Sequence, residues 1–126
     1  GAKQDGDMRA KAQLSRILSP YRSKAEEAWA VIGSMWIEDE FKLKVSRELY
    51  EPFSFNLPGE SYTPDFLYLL EDGSMVFCEV KGSKLQKNYR DARSKLRAAA
   101  ELHPWFFWAQ ATQAGRGAWD FEVIKP

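Results

Sequence analysis

Hydrophobic positions along the chain fall into short blocks of different period. Phe66-Leu67-Tyr68-Leu69-Leu70 and Met75-Val76-Phe77-Cys78 are almost unbroken apolar runs, the pattern of strands covered on both faces. Glu71-Asp72-Gly73-Ser74 between them is a turn signal. Ala25, Ala28, Trp29 and Ile32 recur at helical spacing and predict a helix that opens at Ser23 and runs to about Ser34. Tyr89, Ala92, Leu96 and Ala99 predict a second helix over Asn88–Leu102, with Asn88 as its cap. Trp105–Ala111 is aromatic and strand-like, and Trp119–Ile124 alternates as a final strand.

The remaining blocks are less regular. Tyr50–Leu57 reads as a strand with Phe53 and Phe55 on one face, and Pro52 makes its early part an edge or irregular. Trp36–Val45 has two readings. Glu38-Asp39-Glu40 looks exposed and Phe41–Val45 alternates like a strand, yet the stretch also suits the end of the first helix. Near the start, Leu14, Ile17 and Leu18 suit a short helix over Arg9–Leu18, and Ser19-Pro20 suits the start of another.

The predicted order is helix, three strands, helix, two strands. Hairpins are antiparallel, whereas the crossover through the Asn88 helix sets the next strand parallel. An α/β fold follows: a mixed central β-sheet flanked by helices. Residues 1–22 read as a polar, short-helical extension and 23–126 as one domain.

Register decides what the central hairpin carries. A two-residue Asp-Gly loop would set Asp65 opposite Val80. A three-residue loop, Glu71-Asp72-Gly73 with Gly73 left-handed, pairs Leu70 with Ser74 and sets Asp65 opposite Glu79. Lys81 then shares their face, because side chains repeat every second residue. Only this second register assembles the three charges, and it is the one adopted. Carboxylates directly opposite have Cβ atoms roughly 5 Å apart. At an effective dielectric near 20 their repulsion is about 3 kcal/mol. A divalent cation reverses that sign, and hard cations take carboxylate oxygens.

Pro64-Asp65, then Glu79-Val80-Lys81, resembles the signature of the PD-(D/E)XK nuclease superfamily, and YTPDF…EVKG looks like its small phage-type and transposon-type endonucleases. The resemblance spans roughly Ser23 to Trp108. It implies a restriction-endonuclease-like αβββαββ core and hydrolysis of DNA phosphodiesters with Mg²⁺ or Mn²⁺, in phage DNA recombination, repair or processing. Asp65, Glu79 and the backbone carbonyl of Val80 would be metal ligands and Lys81 the catalytic lysine. It also draws in Glu26, on the first helix, and Lys95, on the second, as supporting residues. Glu26 has a second reading, since Ser23-x-x-Glu26 is also a capping box. A homodimer, or a larger recombination or transposition partner, fits the need for paired cuts. A nuclease fold that binds nucleic acid or protein without catalysis is the alternative.

Charge balance adds to this picture. The 126 residues carry 18 basic and 18 acidic side chains, for zero net charge. From Val80 onward, however, nine basic face four acidic residues, and before it nine face fourteen. The basic side lies where a phosphate backbone would need it. Lys84, Lys87, Arg90, Arg93, Arg97 and Arg116 are the candidate DNA contacts. No apolar run approaches the roughly 18 residues that span a membrane, and no signal peptide is read, so a cytoplasmic setting in a bacterial or phage-infected cell is expected. The lone Cys78 reads as an inert core thiol. The single His103, beside Pro104, reads as a helix end. No Gly-rich phosphate loop or Cys/His zinc spacing is present.

Overall fold

The computed structural model describes residues 19–126. The short helix expected over Arg9–Leu18 lies outside them. Helix α1 (Lys24–Phe41) is followed by β1 (Val45–Tyr50), a small hairpin β2 (Phe55–Leu57) and β3 (Glu60–Tyr62), the central hairpin β4 (Phe66–Leu70) and β5 (Met75–Lys81), helix α2 (Tyr89–Leu102), and strands β6 (Phe107–Gln113) and β7 (Trp119–Ile124). Five strands form one sheet in the order β1-β4-β5-β6-β7. Only β5 and β6 are parallel; their crossover contains α2. β2 and β3 pair with each other in a separate two-stranded sheet. The described residues are thus α/β, with a mixed sheet between two helices.

The central hairpin takes the three-residue loop. Leu69 pairs with Met75, Leu70 N–H donates to the Ser74 carbonyl at 2.9 Å, and Gly73 is left-handed at φ 88°. Both strands are covered on both faces, as their apolar runs require. On one side Trp29 and Ile37 of α1 pack over Phe66, Tyr68, Val76, Cys78 and Ala109. On the other, Leu96 and Ala99 of α2 and Leu57 and Tyr62 of the small hairpin cover Leu67, Phe77 and Trp108.

Four sequence readings are corrected. α1 does not stop at Ser34; Gly33 and Ile37 stay buried, Phe41 packs on the same core, and the helix runs through Glu38-Asp39-Glu40 to a left-handed Lys42. Ser19 caps no helix: Ser23 does, its hydroxyl accepting from Glu26 N–H at 3.1 Å. The strand expected over Tyr50–Leu57 is split, because the chain turns at Glu51 (φ 46°) and Pro52, leaving Phe53 half exposed. Asn88 starts α2 without a side-chain cap.

β5 and β6 are parallel, so their C-terminal ends lie at one edge of the sheet. α1 begins there, with Ser23 and Glu26 beside Asp65 and Lys81 in one cleft. The Gly82–Asn88 connector leads into α2 at the same end. Helix N-termini favour negative charge, and the crevice outside strand C-termini is where ligands of open α/β sheets bind.

Candidate functional site: a carboxylate cluster at the sheet edge

Asp65 lies one step outward from the Phe66–Cys78 pair, in register with Glu79. Its Oδ2 accepts from Val80 N–H at 2.8 Å, and its own carbonyl accepts from Glu51 N–H at 2.8 Å. Glu79 is 6% exposed. Its Oε2 accepts from the Tyr62 hydroxyl at 3.2 Å, while Oε1 lies 4.0 Å from Lys81 Nζ. The three charges expected on one patch of hairpin are therefore together.

Two more carboxylates close the cluster from the other side. Glu26 is also 6% exposed, and its Oε1 accepts from Arg22 N–H at 2.9 Å and from the Tyr50 hydroxyl at 3.1 Å. The capping box is half formed: Ser23 caps the Glu26 amide, but the Glu26 carboxylate reaches back to Arg22 N–H, one residue before the cap. The same carboxylate faces Asp65. Single oxygens of Glu26, Glu51 and Asp65 all lie within 4.8 Å of one another. Glu51 was not foreseen. It reaches the cluster through its left-handed backbone, and nothing in the spacing of Glu51-Pro52 signals that turn.

These acids are unequally compensated. Glu51 is ion-paired to Arg22 at 3.0 Å, and Glu26 accepts two hydrogen bonds. The Asp65 carboxylate has one hydrogen bond, from Val80 N–H, and no ion pair among the described residues, while Glu79 has the Tyr62 hydroxyl and, 4.0 Å away, Lys81. Burial, then the charge of Glu79, pushes the Asp65 carboxyl up to about 10. Burial also raises Glu79, with the Lys81 charge opposing it. Both shifts run the same way: burial and the neighbouring acid each oppose ionising the two carboxyls together. All the donors are hard oxygens, the set that Mg²⁺ and Mn²⁺ prefer, so the residues fit such an ion. Asp65 belongs to both halves of the cluster, facing Glu79 on one side and Glu26 and Glu51 on the other.

The supporting residues divide. Lys95 pairs with Asp91 at 3.2 Å, and that hydrogen bond, then the Asp91 charge, raises its ammonium pKa. Lys84 reaches Asp120 at 3.6 Å. Lys87, Arg90, Arg97 and Arg116 are exposed and make no ion pair among the described residues. Arg116 stands on the β6–β7 loop at the same sheet edge as the cluster. The ridge expected of Arg90, Arg93 and Arg97 is broken in the middle. Arg93 is committed to Gln110 at 2.7 Å and to Glu122 at 2.8 Å, so it ties α2 to the sheet. Gln110 and Thr112 were also missed; they are buried on β6 in register with Glu79 and Lys81.

A cleft of about 640 Å³ opens on the cluster, lined by Arg22, Lys24, Glu26, Asp65, Val80 and Lys81 among others. Cys78 is fully buried and its thiol pKa is raised by burial, consistent with an inert core residue. His103 ends α2, and its carbonyl accepts from Trp108 Nε1–H at 2.9 Å. Among the described residues, no helix is long and apolar enough to cross a membrane. Compared with known proteins, the chain matches no family model, no curated protein and no solved structure.

Proposed function

We propose that this chain is a divalent-cation-dependent nuclease that hydrolyses DNA phosphodiester bonds, of the PD-(D/E)XK type that its Pro64-Asp65 and Glu79-Val80-Lys81 strings resemble. One observation carries the reading. Half-buried Asp65 and buried Glu79 lie in register at the C-terminal end of β5, with Lys81 on the same patch and a cleft that Asp65, Val80 and Lys81 line. The main-sheet order of helix, three strands, helix and two strands, with a parallel crossover, supports it.

Asp65, Glu79 and the Val80 carbonyl are the groups that would hold Mg²⁺ or Mn²⁺. When bound, the ion offsets charge on the phosphate and lowers the proton affinity of water. Lys81 donates toward the attacking water or a non-bridging phosphate oxygen, meeting negative charge as it develops. Glu26, fixed by Tyr50 and the Arg22 amide, accepts a hydrogen bond from water across the cleft. Lys95 supports the ionised form of Glu79 from α2. Lys84, Lys87, Arg90 and Arg116, with Arg22 and Lys24 on the cleft rim, follow the phosphate backbone, and Arg97 extends that path along α2. Paired cuts in a duplex need two such sites, which a homodimer would supply.

The test is a panel of labelled duplex, flap, four-way-junction and single-stranded DNA with Mg²⁺, Mn²⁺ or chelator. Cleavage of at least one substrate is expected, lost with chelator and in Asp65→Ala and Glu79→Ala. Binding without metal-dependent nicking on every substrate would instead make the chain a non-catalytic binding module.

A further inference from the structure

We propose that the β2–β3 hairpin is a positioning element for the cation seat, and that Tyr62 carries this role by holding Glu79 through its hydroxyl. The inference rests on the reading of Asp65 and Glu79 as cation ligands and adds a residue that reading does not include.

The hairpin has no place in the main sheet. Its strands are three residues each, joined through Pro58-Gly59 with Gly59 left-handed at φ 76°. Two strands that short are not stable alone. They persist because Phe55 packs edge-on against Phe77 and Trp108, with centroids 5.0 and 5.2 Å away, and because Leu57 is buried beside α2. This packing delivers Tyr62, the last residue of β3, to the sheet edge. Tyr62 is 4% exposed, with its ring in the apolar layer of Leu67, Phe77 and Leu96.

A buried hydroxyl needs a partner, and here the partner is a carboxylate of the cluster. The Tyr62 hydroxyl donates to Glu79 Oε2 at 3.2 Å, in a site that is otherwise apolar. Glu79 thus has one oxygen held by Tyr62 and the other facing Lys81. Its rotation is fixed before any ion arrives. Outer partners of this kind hold first-contact ligands in place, and losing one costs roughly ten- to a hundredfold in metal affinity. Tyr62 does not touch the ion; it acts through Glu79.

Tyr62→Phe removes one oxygen and keeps the ring. The measurement is Mn²⁺ binding to the full chain, followed by the paramagnetic signal of free Mn²⁺, for wild type, Tyr62→Phe, Glu79→Gln and the double variant. Tyr62→Phe is expected to bind roughly tenfold more weakly. In the Glu79→Gln background the same change should have little effect, because the partner is already altered. Wild-type affinity in Tyr62→Phe would overturn the inference. So would full additivity, which would assign any loss to packing rather than to Glu79. A wild-type chain that takes up no Mn²⁺ would overturn the cation reading itself, and the role of Tyr62 with it.

Discussion

Asp65→Asn should make the metal-free chain more stable at neutral and alkaline pH while removing its activity. Asp65 is held up to about 10 by burial and by Glu79, against an unfolded value near 4. Between those limits the folded chain binds more protons than the unfolded one, so stability falls as pH rises. The contribution is fully present below about pH 4 and lost on the way to pH 10. At 1.36 kcal/mol per unit, the loss by pH 7 has a ceiling of about 4 kcal/mol. Side-chain relaxation and water entry bring the expected value to about 1–3 kcal/mol. Asparagine escapes this cost. Its oxygen still accepts from Val80 N–H, and its amide donates to the neighbouring carboxylates. The assay is urea unfolding with chelator at pH 5, 7 and 9, for wild type and Asp65→Asn. Wild type should weaken across the series and the variant weaken less, since burial still raises Glu79 in it, with the variant ahead at pH 9. Adding Mg²⁺ should stabilise wild type only. A variant less stable than wild type at pH 9 in chelator would refute the electrostatic argument.

Two other outcomes are expected. Lys81→Met, which removes the charge 4.0 Å from Glu79, should lower the single-turnover cleavage rate by about 10²-fold or more while Mn²⁺ binding persists; an undiminished rate would remove Lys81 from the chemistry. Gly33→Ala should lower the melting temperature although alanine is the better helix former by about 1 kcal/mol. Its Cβ would lie 2.6 Å from Trp29 Nε1 and closer still to the Tyr68 hydroxyl, an overpacking worth about 1–3 kcal/mol; a rise in melting temperature would contradict that packing.

The central hairpin and its charges were legible because they depend on local rules. Gly73 suits either of two loops, the need to assemble three charges chooses between them, and the period of two carries Asp65, Glu79 and Lys81 to one face. β7 was legible through its alternation, and its bounds agree with the expected Trp119–Ile124. The stretch from Trp36 to Leu57 was not. Trp29, Gly33, Ile37 and Phe41 continue a helical stripe at spacing four, but the glycine and three consecutive acids hide it. β1 is an edge strand with polar residues at its centre, so its pattern is weak. Glu51 and Arg93 depended on tertiary geometry, a left-handed turn for one and partners on β6 and β7 for the other. Tyr62 read only as the first residue of the YTPDF string, since its contact with Glu79 exists only once the small hairpin folds over the sheet.

The most direct test of the account is where a cation sits. Crystals soaked with Mn²⁺ should show an anomalous-scattering peak in contact with carboxylate oxygens of both Asp65 and Glu79, below the cleft that Lys81 lines. A peak held by other residues, or no peak at saturating Mn²⁺, would contradict it.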